Sequence, residues 1–387
     1  MKLLKFIEKL PLIDDLKIII SLFLIWKIIL FLVLIFSVNY INLAGRNFLG
    51  GGYENYLNYP WLFAWANFDG EHYLSIAQIG YRGLEQAFFP VFPMLMNLFA
   101  KPFGISTTSL VISGLLISNI SFLFALIMLW KLILLDYSKK IAFLTIVIIL
   151  VFPTSFYFGS LYNESLFFLL TVSSFYLIRK NKWFLASIIG GFSSATRIFG
   201  ILLAPAFLLE RGNEKISFRK LLYIGIIPLG LLIYMFYQWR TVGDPLAFYH
   251  LQKIVGPQHE SGITLLPQIY YRYIKILLTT QITNPIYQTI ILELFVGILF
   301  FFLPIYGYFK KVRLSYVLFA FLGFLLPTIQ GSFSSVPRYV IVLFPSFLSL
   351  AILLERLKKP VQGLLIFSLF IWFIIETVMF LRGYWVA

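Results

Sequence analysis

The run IIISLFLIWKIILFLVLIFSV, Ile18–Val38, decides the fold class. At about 1.5 Å of rise per residue, a helix of this length crosses the ~30 Å hydrocarbon core of a bilayer. One charge, Lys27, interrupts it. Three lysines lie in Met1–Leu10, but no small-residue cleavage site follows the run. It therefore reads as a retained first span and not as a signal peptide. Working outward, comparable runs place spans near 18–38, 107–134, 141–158, 163–178, 221–239, 287–309, 314–330, 339–355 and 361–381. A chain that is 60% hydrophobic and 12% charged is no ordinary soluble domain. The expected fold is an all-α polytopic membrane protein with about nine full spans, a re-entrant hairpin and external interfacial helices.

The chain carries 31 Lys and Arg against 16 Asp and Glu. The basic residues crowd into the N-terminus and the connections 136–140, 179–182, 210–220, 310–313 and 355–359. By the positive-inside rule these face the cytoplasm, and loops 39–106 and 240–286 lie outside. The basic excess is thus a topology signal, and nucleic acid is not an expected partner. Cys is absent, which removes disulfides, thiolate nucleophiles and thiolate metal sites.

One segment breaks the alternation. The connections on both sides of Trp183–Leu209 read as cytoplasmic, yet the segment itself is apolar. Two helices of about 12 residues rise only ~18 Å each, too little for two spans. A re-entrant hairpin over 183–209 is expected, with Ser193-Ser194-Ala195-Thr196-Arg197 at its tip. Non-helical backbone at that depth must sit inside protein or against a wet cavity. Arg197 is therefore expected to line an internal cavity.

Only the two external loops are sizeable, and no Walker-type glycine loop is present. An external site needs an energised donor available in the membrane, such as a polyprenyl-phosphate-linked sugar. Loop 39–106 holds Trp65-Ala66-Asn67-Phe68-Asp69-Gly70-Glu71-His72-Tyr73. His72–Gly80 reads as a short amphipathic helix and Phe88–Phe103 as a more apolar interfacial stretch. Asp69, among Trp61, Trp65 and Phe68, is the acid most exposed to desolvation, which raises basicity. Glu71, Glu85 and Glu164 are its rivals. Arg82, Arg197, Arg240 and Arg338 face the same side, and a guanidinium fork suits a phosphate. Arg197 and Arg338 fall among apolar helices, where a charge is costly; the blander reading pairs them with Glu293, Glu376 or a helix carboxyl end. His72, His250 and His259 have no metal-ligand spacing, so no metal or other cofactor is expected.

These blocks resemble the PIG-V type of lipid-phosphosugar-dependent mannosyltransferases, within the wider GT-C superfamily. Phe68-Asp69-Gly70-Glu71-His72-Tyr73, Gly80-Tyr81, Glu85 and Ala87-Phe88-Phe89-Pro90-Val91-Phe92-Pro93 are similar to the family's first-loop pattern. Tyr162-Asn163-Glu164-Ser165-Leu166-Phe167, Gly190 to Thr196-Arg197, Gly243-Asp244-Pro245 and Ser335-Val336-Pro337-Arg338-Tyr339 extend the likeness over most of 60–350. Phe68 stands where the family often has Trp, and Asn67 where Arg is common. Arg82 or Arg197 is then expected to take over the phosphate.

The resemblance implies a GT-C-type helical bundle and an inverting transfer of a sugar, mannose in the family, from a polyprenyl-phosphate donor. Asp69 would be the general base. Arg197, Arg338, Arg82 and Arg240 are the candidate donor-phosphate contacts. Glu71, Glu85, Glu164, Trp61, Trp65, His72 and Tyr73 are the candidate contacts to the sugar and to a glycolipid or glycan acceptor. Composition and short loops favour a prokaryotic plasma membrane over an endoplasmic reticulum. A transporter or flippase for a lipid-linked sugar is the competing class, since broken helices and buried charges occur there too. Transporters usually show repeated halves, and this chain has no convincing internal duplication.

Overall fold

The computed structural model describes residues 12–210, 216–251 and 264–386. The three N-terminal lysines, His259 and parts of the 210–220 and 240–286 connections lie outside the described residues. Fifteen helices carry the architecture. In order they are α1 (Leu12–Tyr40), α2 (Asp69–Ile79), α3 (Val91–Ala100), α4 (Thr107–Ile133) and α5 (Lys139–Val151). Next come α6 (Glu164–Arg179), α7 (Trp183–Thr196), α8 (Leu203–Leu208), α9 (Phe218–Ile224) and α10 (Leu229–Val242). The last five are α11 (Leu266–Thr279), α12 (Ile286–Phe309), α13 (Leu314–Thr328), α14 (Phe344–Glu355) and α15 (Lys359–Leu381). Short helical turns join them, and there is no strand among the described residues.

α1, α4, α12 and α15 are long and apolar enough to cross a bilayer, and the chain is an integral membrane protein. Two bent pairs add to them: α9 with α10, at 43°, and Val336–Val342 with α14, at 85°. By length and composition this gives four spans among the described residues, or up to six if each bent pair counts as one. The stretches expected as spans near 141–158, 163–178 and 314–330 are α5, α6 and α13, helices of 13, 16 and 15 residues.

Polar contacts sort the helix ends into two groups. At one end Lys139 pairs with Asp15 at 2.7 Å and Lys140 with Glu355 at 2.8 Å. There Arg179 holds both oxygens of Asp136, and Arg313 bridges Asp136 and Glu210 at 3.2 and 3.3 Å. The opposite end gathers the first loop, the turn before α6, the break after α7, the short helix Val336–Tyr339 and the end of α15. Between them lies an aromatic core, in which Phe175 meets Phe207, Tyr316, Phe319 and Phe344 edge-on at 5.2–5.6 Å.

The 183–209 segment runs from the first end to the second and back. α7 stays helical through Ser193–Thr196 and breaks at Arg197, later than the Ser193–Arg197 interruption expected. The chain returns as a 3-10 turn, Ile198–Leu202, and α8. Gly230 lets α10 press on α7: a Cβ there would sit 1.9 Å from the Gly191 carbonyl oxygen and 2.5 Å from Ser194 Oγ. Gly230→Ala should therefore cost about 1–3 kcal/mol through overpacking. A lowered thermal unfolding midpoint of the purified protein checks this; an unchanged midpoint contradicts so close a crossing.

α2 buries Tyr73, Leu74, Ile76 and Ala77 against α3 and α4 and leaves Gln78 and Ile79 exposed. α3 packs on both α2 and α4. It buries Phe92, Met96 and Ala100 and leaves Met94, Leu98 and Phe99 exposed. An apolar ridge of this kind suits lipid contact.

Candidate active site

Asp69 and Arg338, 269 positions apart, meet at the second end of the bundle. Arg338 Nη1 donates to Asp69 Oδ2 at 2.5 Å. The same guanidinium lies 3.4 Å, through Nε, from Glu164 Oε1, and Arg197 Nη1 approaches that oxygen at 2.8 Å. Two cations and two carboxylates thus form one chain, Asp69–Arg338–Glu164–Arg197. Glu164 and Arg197 are buried, while the Asp69 side chain keeps 21% of its exposure. The blander reading gave these arginines Glu293, Glu376 or a helix carboxyl end; they pair with Asp69 and Glu164, and Arg197 also stands at the carboxyl end of α7.

Local backbone puts each group there. Asp69 and Glu164 both begin helices, where the dipole favours a carboxylate. Asn163 Nδ2 donates to the Thr196 carbonyl at 2.9 Å, which ties the start of α6 to the break carrying Arg197. Thr154 Oγ1 donates to the Pro337 carbonyl at 2.7 Å, tying the turn after α5 to the Arg338 segment. Ser335 adopts φ 62° and gives its N–H to buried Glu293 Oε1 at 3.2 Å. Tyr273 donates to the other Glu293 oxygen at 2.7 Å. Phe68, just before Asp69, has φ 59°, a conformation that bulky residues adopt only when neighbours impose it. Its N–H donates to the Phe48 carbonyl at 2.8 Å.

Asn67 is wholly buried. Its Oδ1 accepts from the Gly50 N–H at 2.9 Å and its Nδ2 donates to the Phe380 carbonyl at 2.9 Å. It clips the first loop to the end of α15 and points away from any phosphate role.

Rings enclose the ion chain. Arg338 lies over Tyr157, Tyr162 and Tyr339 at 5.6, 5.5 and 5.0 Å, and Arg197 over Phe167, Phe199 and Tyr339 at 5.9, 5.4 and 5.5 Å. Tyr339 therefore sits between the two guanidinium groups. Burial, with Glu164 adding to it, raises the Tyr73 phenol well above its usual value, so it stays a neutral donor facing the carboxylates. Tyr157 and Tyr339 escaped sequence reasoning. Aromatics are too common in this chain to single them out, and only the adjacency of Tyr339 to Arg338 hinted at its place.

Three buried polar atoms of the chain lack a hydrogen-bond partner among the described residues: Glu164 Oε2, Arg197 Nη1 and Arg338 Nε. The Arg197–Glu164 contact is short but misaligned for a hydrogen bond. Arg197 Nη1 and Arg338 Nε are answered by Glu164 through charge and not through hydrogen-bond geometry, which leaves their donors with capacity for a further acceptor.

The remaining candidates lie apart from this chain. Arg82 and Arg240 are exposed and form no ion pair among the described residues. Trp61 is 59% exposed, and buried Trp65 covers the Lys27 ammonium at 5.8 Å. Glu85 Oε2 accepts the Arg82 N–H at 2.8 Å, a cap on its own 3-10 turn. His72 stacks on Phe88 at 4.7 Å. Glu71 turns to the Gly51 and Gly52 N–H groups; burial, opposed by those bonds, pushes it up to about 7. A folded value above the unfolded one gives stability that is full at acid pH and lost as pH rises through about 7. Glu71→Gln should flatten the fall in unfolding midpoint between roughly pH 5 and 8. An unchanged pH profile contradicts the burial.

The family model described as Mannosyltransferase (PIG-V) matches residues 41–223, a stretch that holds Asp69, Glu164 and Arg197 but not Arg338. No curated protein sequence matches the chain. Among solved structures, ArnT from Cupriavidus metallidurans bound to undecaprenyl phosphate superposes with a TM-score of 0.53 at 12% identity. That match covers 89% of this chain and 61% of that one, so the chain spans about six tenths of ArnT's length. Its apo state gives a TM-score of 0.51 at 13% identity, with the same coverage. The oligosaccharyltransferase AglB of Archaeoglobus fulgidus aligns at 14% identity and a TM-score of 0.46, over 95% of this chain and 56% of that one. Residues 41–223 therefore match the Mannosyltransferase (PIG-V) family model, and the all-helical fold of the chain resembles that of ArnT.

Proposed function

We propose that the chain moves a sugar, mannose by family, from a polyprenyl-phosphate donor to a hydroxyl of a lipid- or glycan-linked acceptor, on the non-cytoplasmic face of a prokaryotic plasma membrane. The observation that carries this reading is Arg338 bridging Asp69 and Glu164 beside Arg197. A base and a pair of phosphate-binding forks then share one compartment. Undecaprenyl phosphate, to which ArnT is bound in the first of those structures, is a donor carrier of the required kind.

In the step, the acceptor oxygen attacks the anomeric carbon while Asp69 takes its proton. The bond from that carbon to the phosphate oxygen breaks, and its electron pair leaves with the polyprenyl phosphate. One displacement inverts the anomeric centre. Charge grows on the leaving phosphate, where Arg338 and Arg197 stabilise it in a water-poor site. Arg338 pairs with Asp69, so the phosphate competes with Asp69 for it. Donor binding frees the carboxylate as the leaving group is seated. Glu164 keeps the guanidinium groups in register and Tyr73 donates to a sugar or acceptor oxygen.

The test is transfer by purified protein in nanodiscs, offered several polyprenyl-phosphate sugars and the matching nucleotide sugars. Product from a polyprenyl-phosphate sugar, and none from nucleotide sugars, is expected. Transfer from the nucleotide sugars alone overturns the reading.

A further inference from the structure

The segment after α15 runs beneath the site and touches the supports of both Asp69 and Arg338. Ala44 N–H donates to the Arg382 carbonyl at 3.0 Å, and Arg382 itself reaches the Tyr56 hydroxyl at 3.2 Å. Gly383 turns the chain with φ 74° against Leu49. Thr289 Oγ1 on α12 donates to the Trp385 carbonyl at 3.1 Å, which anchors the segment from the other side.

Two contacts lead directly to the ion chain. The Trp385 ring meets Phe68 edge-on at 5.7 Å and 87°, while Phe380 packs on the same ring at 6.0 Å. Phe68 has φ 59° and ψ −117°, a backbone state that a free chain does not hold. The Tyr157 hydroxyl donates to the Val386 carbonyl at 2.8 Å, and the Tyr157 ring lies under Arg338. Trp385 is 44% exposed, so burial alone does not explain its position.

We infer that Arg382–Val386 is a positioning strut, in which Trp385 holds the strained Phe68 that aims Asp69 and Val386 steadies the Tyr157 ring beneath Arg338. The inference rests on the proposed function only for its kinetic consequence. A base displaced by a fraction of an ångström loses rate without losing donor affinity. Trp385 touches neither reacting group in this scheme.

The test compares Trp385→Ala, Trp385→Phe and, as control, Trp239→Ala, whose indole is exposed on α10. Hydrogen–deuterium exchange reads the strut without any reaction. The Phe68 amide should exchange about tenfold faster or more in Trp385→Ala, near the native rate in Trp385→Phe, and unchanged in Trp239→Ala. Unchanged Phe68 exchange in Trp385→Ala overturns the strut, as does equal acceleration throughout the bundle. In the donor assay, kcat should fall about tenfold in Trp385→Ala with the donor KM within about twofold of native. A raised KM with unchanged kcat overturns the Asp69 arm. If no protein, native included, transfers sugar, the functional reading fails while the exchange result still decides the strut.

Discussion

Asp69→Asn is expected to lower sugar transfer by about 10²–10⁴-fold, the range that a positioned general base supplies. The variant keeps the shape of the side chain and loses its charge. Arg338 then faces a neutral amide but retains Glu164 at 3.4 Å, so the site does not lose its last counter-charge. Asp69 is also partly exposed, which limits the cost of the lost pair. The fold should persist, with a near-native unfolding midpoint, while initial rates at saturating donor collapse. Near-native rates would assign the base elsewhere, and Glu164 is the other carboxylate in reach.

Arg338→Gln is expected to be worse for the whole molecule. It leaves Asp69 and Glu164 as two carboxylates in one pocket, with only Arg197 to answer both. Removing one partner of a buried pair typically costs about 3–5 kcal/mol, because the other charge is stranded. Activity should fall at least about 10²-fold, since the fork that meets the leaving phosphate goes with it. Arg338→Lys separates the two effects. An ammonium restores one charge but cannot span Asp69 and Glu164 at once. Stability should largely return, and the donor concentration for half-maximal rate should stay raised. Recovery of native kinetics by lysine would deny the forked contact its role.

Much of the fold was legible because bilayer physics is simple. Ile18–Val38 and the apolar runs behind α4, α12 and α15 are long enough that no soluble core explains them. The basic connections also foretold which helix ends gather, as Asp136, Arg179, Glu210 and Arg313 do. The packing partners of α2 were harder to foresee. An apolar stripe at helical spacing looks the same whether it faces lipid or protein, and only α3 and α4 decide which. The break after α7 was placed within a few residues, since a charge at the end of a Ser- and Thr-rich stretch ends a membrane-depth helix at little cost.

In the site, Asp69, Glu164, Arg197 and Arg338 could be nominated singly, because charged groups among apolar segments are few. Their pairing could not be read. Arg338 comes to Asp69 through the Ser335 turn and its bond to Glu293, a tertiary arrangement invisible in any local pattern. Asn67 looked like a lost phosphate ligand and is a buried clip between Gly50 and Phe380. Short polar side chains give no sign in sequence of whether they face a ligand or the backbone.

The central claim is that one compartment holds both a lipid phosphate and the base that acts beside it. It is tested most directly by measuring binding and chemistry together on native protein and Asp69→Asn in nanodiscs. Each would be given the same polyprenyl-phosphate mannose and a radiolabelled acceptor mixture. The account predicts donor binding by Asp69→Asn at least as tight as by the native protein, because the phosphate no longer competes with a carboxylate for Arg338, and transfer, with inversion at the anomeric carbon, by the native protein alone. Equal transfer by both proteins, or a product that retains the donor's anomeric configuration, would contradict it.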